Sequence, residues 1–249
     1  MRFKHILPLL LAITLLAGCK SNPEAKLNRA VKHSNIAKME TLLKEGSDVN
    51  KMVDGETPLM VAVSAGQPRA VAWLLENGAE ITVKNPKGQD LWALVMENKS
   101  NPYPSHGQAE ALALLVGKGL EPRLTLLEAA KKVDSKELTE ALIARGGDLN
   151  ERDENGWTPL HHAAREGHEE TTLALIEAGA EVNAESTKTI EKTEGNEDGS
   201  VRVALRLEAG TRPMDVADTS GSKGQSSCYG IVSKHGGEKN KNINNIGRP

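Results

Sequence analysis

Three histidines and two glutamates crowd into one short stretch: His161, His162, His168, Glu169 and Glu170. Imidazole nitrogens and carboxylate oxygens are the usual ligands of zinc and other divalent metals, so metal binding is the first chemistry to weigh. His161 and His162 are adjacent, however, and adjacent side chains on a helix point about 100° apart. They do not face one ion, and no metal site is expected. Nucleophilic chemistry finds no better footing. The chain has no Gly-x-Ser-x-Gly elbow, no phosphate-cradling glycine loop and no His-Glu-x-x-His pair. Gly221-Ser222-Lys223-Gly224 is rich in glycine, but no strand precedes it and no Lys-Ser/Thr follows. Cys228 reads as a small apolar filler rather than a reactive thiol. No catalytic residue and no cofactor are expected, and the chain reads as a non-enzyme.

The elements that carry these histidines are more informative. Asn155-Gly156 offers the positive-φ corner of a tight turn. Thr158 is a good helix N-cap, and Pro159 suits the first helical position, where its missing N–H costs nothing. Leu160, Ala163 and Ala164 form an apolar stripe small enough for another helix to approach closely. Gly167 separates two helices, and Gly179 stops the second. Similar pieces recur with a period near 33 residues. Thr57-Pro58-Leu59 precedes Thr158-Pro159-Leu160 by close to three periods. Helix endings of one type recur at Leu42–Gly46, Leu74–Gly78, Leu115–Gly119, Leu142–Gly146 and Leu175–Gly179. Finger starts follow at Asp48-Val49-Asn50, Asp148-Leu149-Asn150 and Glu181-Val182-Asn183.

On these motifs the chain resembles the ankyrin-repeat family over residues 24–237. The resemblance implies a mostly α solenoid of helix-turn-helix repeats with β-hairpin fingers. Five repeats and a degenerate C-terminal cap are expected, at 24–53, 54–85, 86–123, 124–153, 154–186 and 210–237. It also implies that His161 and His168 are structural, bonding backbone groups between turns. A low aromatic content, 2% of the residues, suits short stacked helices that bury small side chains between neighbours.

Residues 1–18 are read as lying outside the fold. Arg2 and Lys4 precede an apolar run from Ile6 to Leu16 that is too short to span a bilayer. The run ends Leu16-Ala17-Gly18-Cys19, which resembles a bacterial lipoprotein signal. That resemblance implies cleavage before Cys19, a lipid on its sulfur, a tether over 19–23 and a domain facing the periplasm. Lys20, in place of an aspartate, implies the outer membrane. Without residues 1–18 the chain has 29 basic and 34 acidic residues, a net charge of −5. That balance lacks the basic stripe a nucleic-acid partner requires.

Three departures from the repeat stand out. Aligning Gly88 with Gly55 and Gly107 with Gly66 leaves eight extra residues, Lys99–His106, between two helices; Tyr103 lies between two prolines there. A larger insertion occupies 187–209. In it, Lys188–Lys192 and Val201–Leu207 alternate apolar with polar residues around the turn-prone Gly195–Gly199. This predicts a β-hairpin near 188–207 growing out of a finger, either a contact arm or a brace for the cap. In the last unit Ser220–Ser227 replaces a short turn, and residues 238–249 read as a disordered tail.

The resemblance implies a monomeric, non-catalytic module that binds another protein, held to the membrane through the lipid on Cys19. The expected contact residues are Asp54, Gly55 and Glu56 on one finger and Asp153, Glu154, Asn155 and Trp157 on another. Glu194, Glu197, Asp198, Arg202 and Arg206 of the hairpin complete the set. Trp157 is open to a packing role as well as a contact role. An immunity protein that neutralises a secreted antibacterial effector such as a phospholipase, and a structural envelope spacer, are the narrower alternatives.

Overall fold

The structure, a computed structural model, describes residues 22–96, 104–195, 201–217 and 223–241. It divides into two compact units, Met1–Asp90 and Leu91–Pro249. In the first, α1 (Pro23–Lys32) and α2 (Ile36–Lys44) form one helix pair, and α3 (Pro58–Ser64) and α4 (Pro68–Glu76) form the next. Helix α1 packs on both α2 and α3. In the second unit the pairs are α5 (Leu91–Met96) with α6 (His106–Gly117) and α7 (Leu126–Lys132) with α8 (Lys136–Ala144). Helices α9 (Pro159–Glu166) and α10 (Glu169–Glu177) follow, then the strands β1 (Ile190–Gly195) and β2 (Val201–Leu207). Helices α11 (Pro213–Ala217) and α12 (Lys223–Lys234) end the described fold. First helices α7, α9 and α11 pack on one another in turn, and second helices α6, α8, α10 and α12 do the same.

Local chemistry sets the ends of these helices. Proline opens α1, α3, α4 and α9, and side chains of Asn22, Asn35 and Thr57 accept the first free N–H groups of α1, α2 and α3. Small residues let the pairs close on each other. Ala62, Ala70, Ala109, Ala111, Ala130, Ala163 and Ala164 are all fully buried.

Helix α10 stops in a Schellman arrangement: Ala180 N–H donates to Leu175 O and Gly179 N–H to Ile176 O. Gly179 sits at φ +94°, with open space where a Cβ would stand. Steric crowding is therefore absent, and only the left-handed backbone opposes a side chain there. Gly179→Val is expected to cost about 1–2 kcal/mol, read as a lower denaturation midpoint; an unchanged midpoint would refute this.

Asparagines at the finger starts link successive repeats. Asn50 donates to Gly78 O (3.0 Å) and accepts from Glu80 N–H (2.9 Å). Asn150 accepts from Glu181 N–H (3.1 Å). Asn183 donates to Gly236 O (3.0 Å) and accepts from Glu238 N–H (2.8 Å). Each side chain thus satisfies backbone groups at the end of the following second helix.

The inserted hairpin forms. Strands β1 and β2 are antiparallel, pairing Ile190 with Leu207 through Gly195 with Val201. A register shift after Lys192 leaves Ala204 as an extra, bulged residue.

Three expectations need correction. His106 opens α6 behind a Ser105 N-cap and capping box, so it belongs to the helix and not to the preceding insertion; residues 99–103 of that insertion lie outside the described residues. Helix α12 already starts at Lys223, so the irregular segment of the last unit is shorter than Ser220–Ser227. Its Gly224 meets Gly167 so closely that a Cβ would sit 2.7 Å from Gly167 O. Finally, residues 238–241 are not a loose tail. Glu238 is tied to Asn183, and Asn240 donates from Nδ2 to Gly210 O (2.9 Å). Residues 242–249 lie outside the described residues.

Candidate protein-binding surface

The finger in the first unit is built by two residues at positive φ, Asp54 (+52°) and Gly55 (+86°), with Val53 bridged to Glu56. Such a corner suits a tight two-residue hairpin turn. Asp54 is exposed at its tip, while Gly55 and Glu56 are half-buried.

The finger of the second unit is organised by Asp153. Its carboxylate accepts from Asn155 N–H (2.9 Å) and Trp157 N–H (3.0 Å), and its Oδ2 lies 2.9 Å from His162 Nε2. Lys131 Nζ stands 3.6 Å away. Burial pushes the Asp153 carboxyl up, but the Trp157 and Asn155 N–H donors and His162 outweigh it and hold it below the usual carboxylate range. Asp153 is therefore a structural hub and not a free contact residue, which corrects the sequence expectation. Trp157, open to either role on sequence, takes the packing role and not the contact role. It is only 1% exposed and packs with Ala164, Leu207, Val216, Ala217 and Cys228. Arg165 lies over its ring at 5.3 Å. Of this finger's expected contact residues, Glu154 is exposed and Asn155 half-buried.

The finger and the hairpin are brought together. Asn155 O accepts from both Thr187 N–H (2.9 Å) and Lys188 N–H (3.2 Å) at the root of the insertion. Gly156 makes this approach feasible, because a Cβ there would fall 2.4 Å from Thr187 Oγ1. Arg152 adds bonds to Gly156 O (3.0 Å) and Glu185 O (2.7 Å). Register places Glu194 opposite Arg202 and Glu191 opposite Arg206. Glu197 and Asp198 lie outside the described residues, as does Cys19.

The histidines are committed internally. His161 is fully buried, and its Nδ1 accepts from Thr158 N–H (3.1 Å) while Nε2 meets Thr211 O at 2.9 Å. This pattern selects the neutral tautomer with its proton on Nε2. Burial lowers the His161 pKa to about 4. Burial and the Lys131 charge together lower His162 to about 4, overcoming the pull of Asp153. His168 Nδ1 lies 2.9 Å from Ala130 O. Cys228 is buried beside Thr172, and burial pushes its thiol up to about 11, which suits a filler rather than a nucleophile.

Sequence reading missed one grouping, because its members come from three repeats. Exposed ligand atoms of His106, Glu137 and Glu170 lie within 4.8 Å of one another. All three residues stand in the first turns of α6, α8 and α10, where the helix dipole favours carboxylates. That electrostatic preference accounts for the glutamates without an ion.

A family model of ankyrin repeats, in three copies, matches residues 5–85 and 104–186, well over half of the chain. The chain belongs to the ankyrin-repeat family. Its fold is the mostly helical ankyrin-repeat solenoid, with a β-hairpin inserted before the last helix pair. Mouse Rabankyrin-5 is 30% identical over 186 residues, covering 68% of this chain and 15% of the relative. A probable 26S proteasome regulatory subunit p28 of Saccharomyces cerevisiae is 30% identical over 144 residues, 57% of this chain and 48% of that one. Human transient receptor potential cation channel subfamily A member 1 is 25% identical over 203 residues, 66% of this chain and 18% of that one. The chain thus spans less than half the length of these relatives. The solved ankyrin repeat domain of human ASB11 aligns with a TM-score of 0.48 at 18% identity, covering 85% of this chain and 84% of that one. Ankyrin repeats in general bind other proteins and are typically non-catalytic scaffolds.

Proposed function

We propose that this chain is a non-catalytic module, anchored by a lipid on Cys19 in the outer membrane and facing the periplasm, that captures a protein partner. The observation that carries this reading is the hairpin rooted in a finger. Asn155 O holds the first residues of an insertion that a bare repeat does not require. In the second unit the exposed acidic residue Glu154 suits the polar rim of an interface, and the hairpin rooted beside it adds Arg202 and Arg206 of opposite sign. Affinity capture from envelope extract with the intact chain, set against a chain lacking residues 191–206, tests it. A protein retained by the intact chain alone supports the proposal, and identical captured sets overturn it. If the captured protein is an antibacterial effector, the module is an immunity protein.

The anchor has its own test. Cys19→Ser is expected to abolish palmitate incorporation and to leave the protein either unprocessed or in the soluble fraction once membranes are washed with 0.5 M salt, which screens charge contacts. Labelled palmitate on the variant would remove the anchor from the proposal.

A further inference from the structure

Charge is unevenly distributed along this chain. Residues 20–44 hold six basic and two acidic residues, a net charge of +4, whereas residues 45–249 hold 23 basic and 32 acidic, a net charge of −9. The basic excess falls on the first helix pair. Lys26, Arg29, Ala30 and His33 follow the i, i+3, i+4, i+7 spacing of one α1 face. With Asn35 and Lys38 at the start of α2 they line an open groove of about 420 Å³. Ala30 is buried and forms its floor, while Lys26, Arg29, His33 and Lys38 are exposed. Among the described residues none of these four side chains has a carboxylate within ion-pairing distance. The two acidic residues of this segment, Glu24 and Glu40, do not line the groove.

We propose that this groove, lined by Lys26, Arg29, Ala30, His33, Asn35 and Lys38, docks on the phosphates of anionic lipid headgroups in the membrane that holds the anchor. The inference rests on the reading of Cys19 as the acylated residue. Two residues, Lys20 and Ser21, separate Cys19 from the Asn22 cap of α1, a reach of about 11 Å at full extension. The basic face is thus held at the lipid surface, where an anionic headgroup layer attracts Lys26, Arg29 and Lys38. A single acyl chain and a basic patch reinforce each other in general, because one chain alone binds a bilayer only weakly and reversibly.

The test uses the chain from residue 19 onward with Cys19→Ser, which keeps every described element but has no lipid. Its result therefore does not depend on whether Cys19 is acylated in the cell. Cosedimentation is measured with vesicles of phosphatidylcholine alone and with vesicles containing phosphatidylglycerol. Selective binding to the anionic vesicles is expected, weakened at least tenfold by 0.5 M salt, as exposed charge contacts should be. Lys26→Gln/Arg29→Gln/Lys38→Gln should weaken it at least tenfold with an unchanged circular dichroism spectrum. Lys84→Gln/Lys87→Gln, exposed on a finger in the same unit, should leave it unchanged. Equal binding to both vesicle types, no binding to either, or undiminished binding by the triple variant would overturn the proposal. So would displacement by inorganic phosphate at constant ionic strength, which would make the groove a free-phosphate site. Failure of the palmitate test would instead remove the anchor and leave the vesicle result standing.

Discussion

His161→Ala is expected to lower stability by about 3 kcal/mol, measured by denaturant unfolding at neutral pH. The imidazole joins two repeats. It accepts from Thr158 N–H at the start of α9 and donates to Thr211 O beside α11, at 2.9 Å. Truncation leaves the Thr158 N–H buried without its acceptor, while Thr211 O keeps the Ser186 N–H, and it opens a cavity against Trp157, whose ring stacks on the imidazole at 5.7 Å. A second readout separates this from generic core damage. His161 and His162 titrate near 4 in the fold, below the ordinary 6.5, so between these values the unfolded chain binds protons that the folded chain does not. Stability is therefore fully present above about pH 6.5 and falls as the pH drops toward 4. At pH 5 each histidine accounts for a loss of about 2 kcal/mol. Asp215, whose carboxyl is raised by burial, works in the opposite direction and trims the slope. The native chain should weaken markedly between pH 7.5 and pH 5, and His161→Ala should show about half of that dependence. An unchanged pH dependence in the variant would contradict the neutral buried imidazole.

Replacing residues 191–206 by a short Gly-Ser turn is expected to weaken partner binding about thirtyfold while changing stability by less than about 1 kcal/mol. The boundaries matter. Leu207 is 7% exposed and packs against the Trp157 and Cys228 core, and Thr187 and Lys188 are fastened to Asn155. Removing all of 188–207 would therefore damage the cap as well as the arm, so the base acts as a brace. The part beyond it pairs only with itself among the described strands, and it is the part available to a partner. Normal binding by this variant, titrated against the captured protein by calorimetry, would place the interface on the fingers and helices. Early unfolding would show that the brace extends further along the strands.

Much of the fold is legible in the residue types. Thr-Pro-Leu and the glycine stops act locally, through caps and left-handed corners, so they announce helix ends without tertiary context. Alternation announced the hairpin for the same reason. The site was harder to read. Trp157 follows a finger turn and looks available, yet Leu207, Val216 and Cys228, far along the chain, fold over it. Asp153 resembles any surface aspartate until His162 and Lys131 are placed beside it by other turns. Ser34 has φ +51°, a left-handed corner that Gly66 and Gly167 occupy at the matching turns. Its residue type gives no hint of that conformation.

The asparagine links have a mechanical meaning. Asn50 and Asn183 each fasten one repeat to the backbone end of the next, and to nothing farther away. Under tension between a fixed end and a held ligand, such a chain yields one repeat at a time rather than rupturing as a whole. A period near 33 residues releases about 110 Å of slack at each step. A module tethered to one surface could thus pay out length under load and keep its grip while the two bodies it joins move apart.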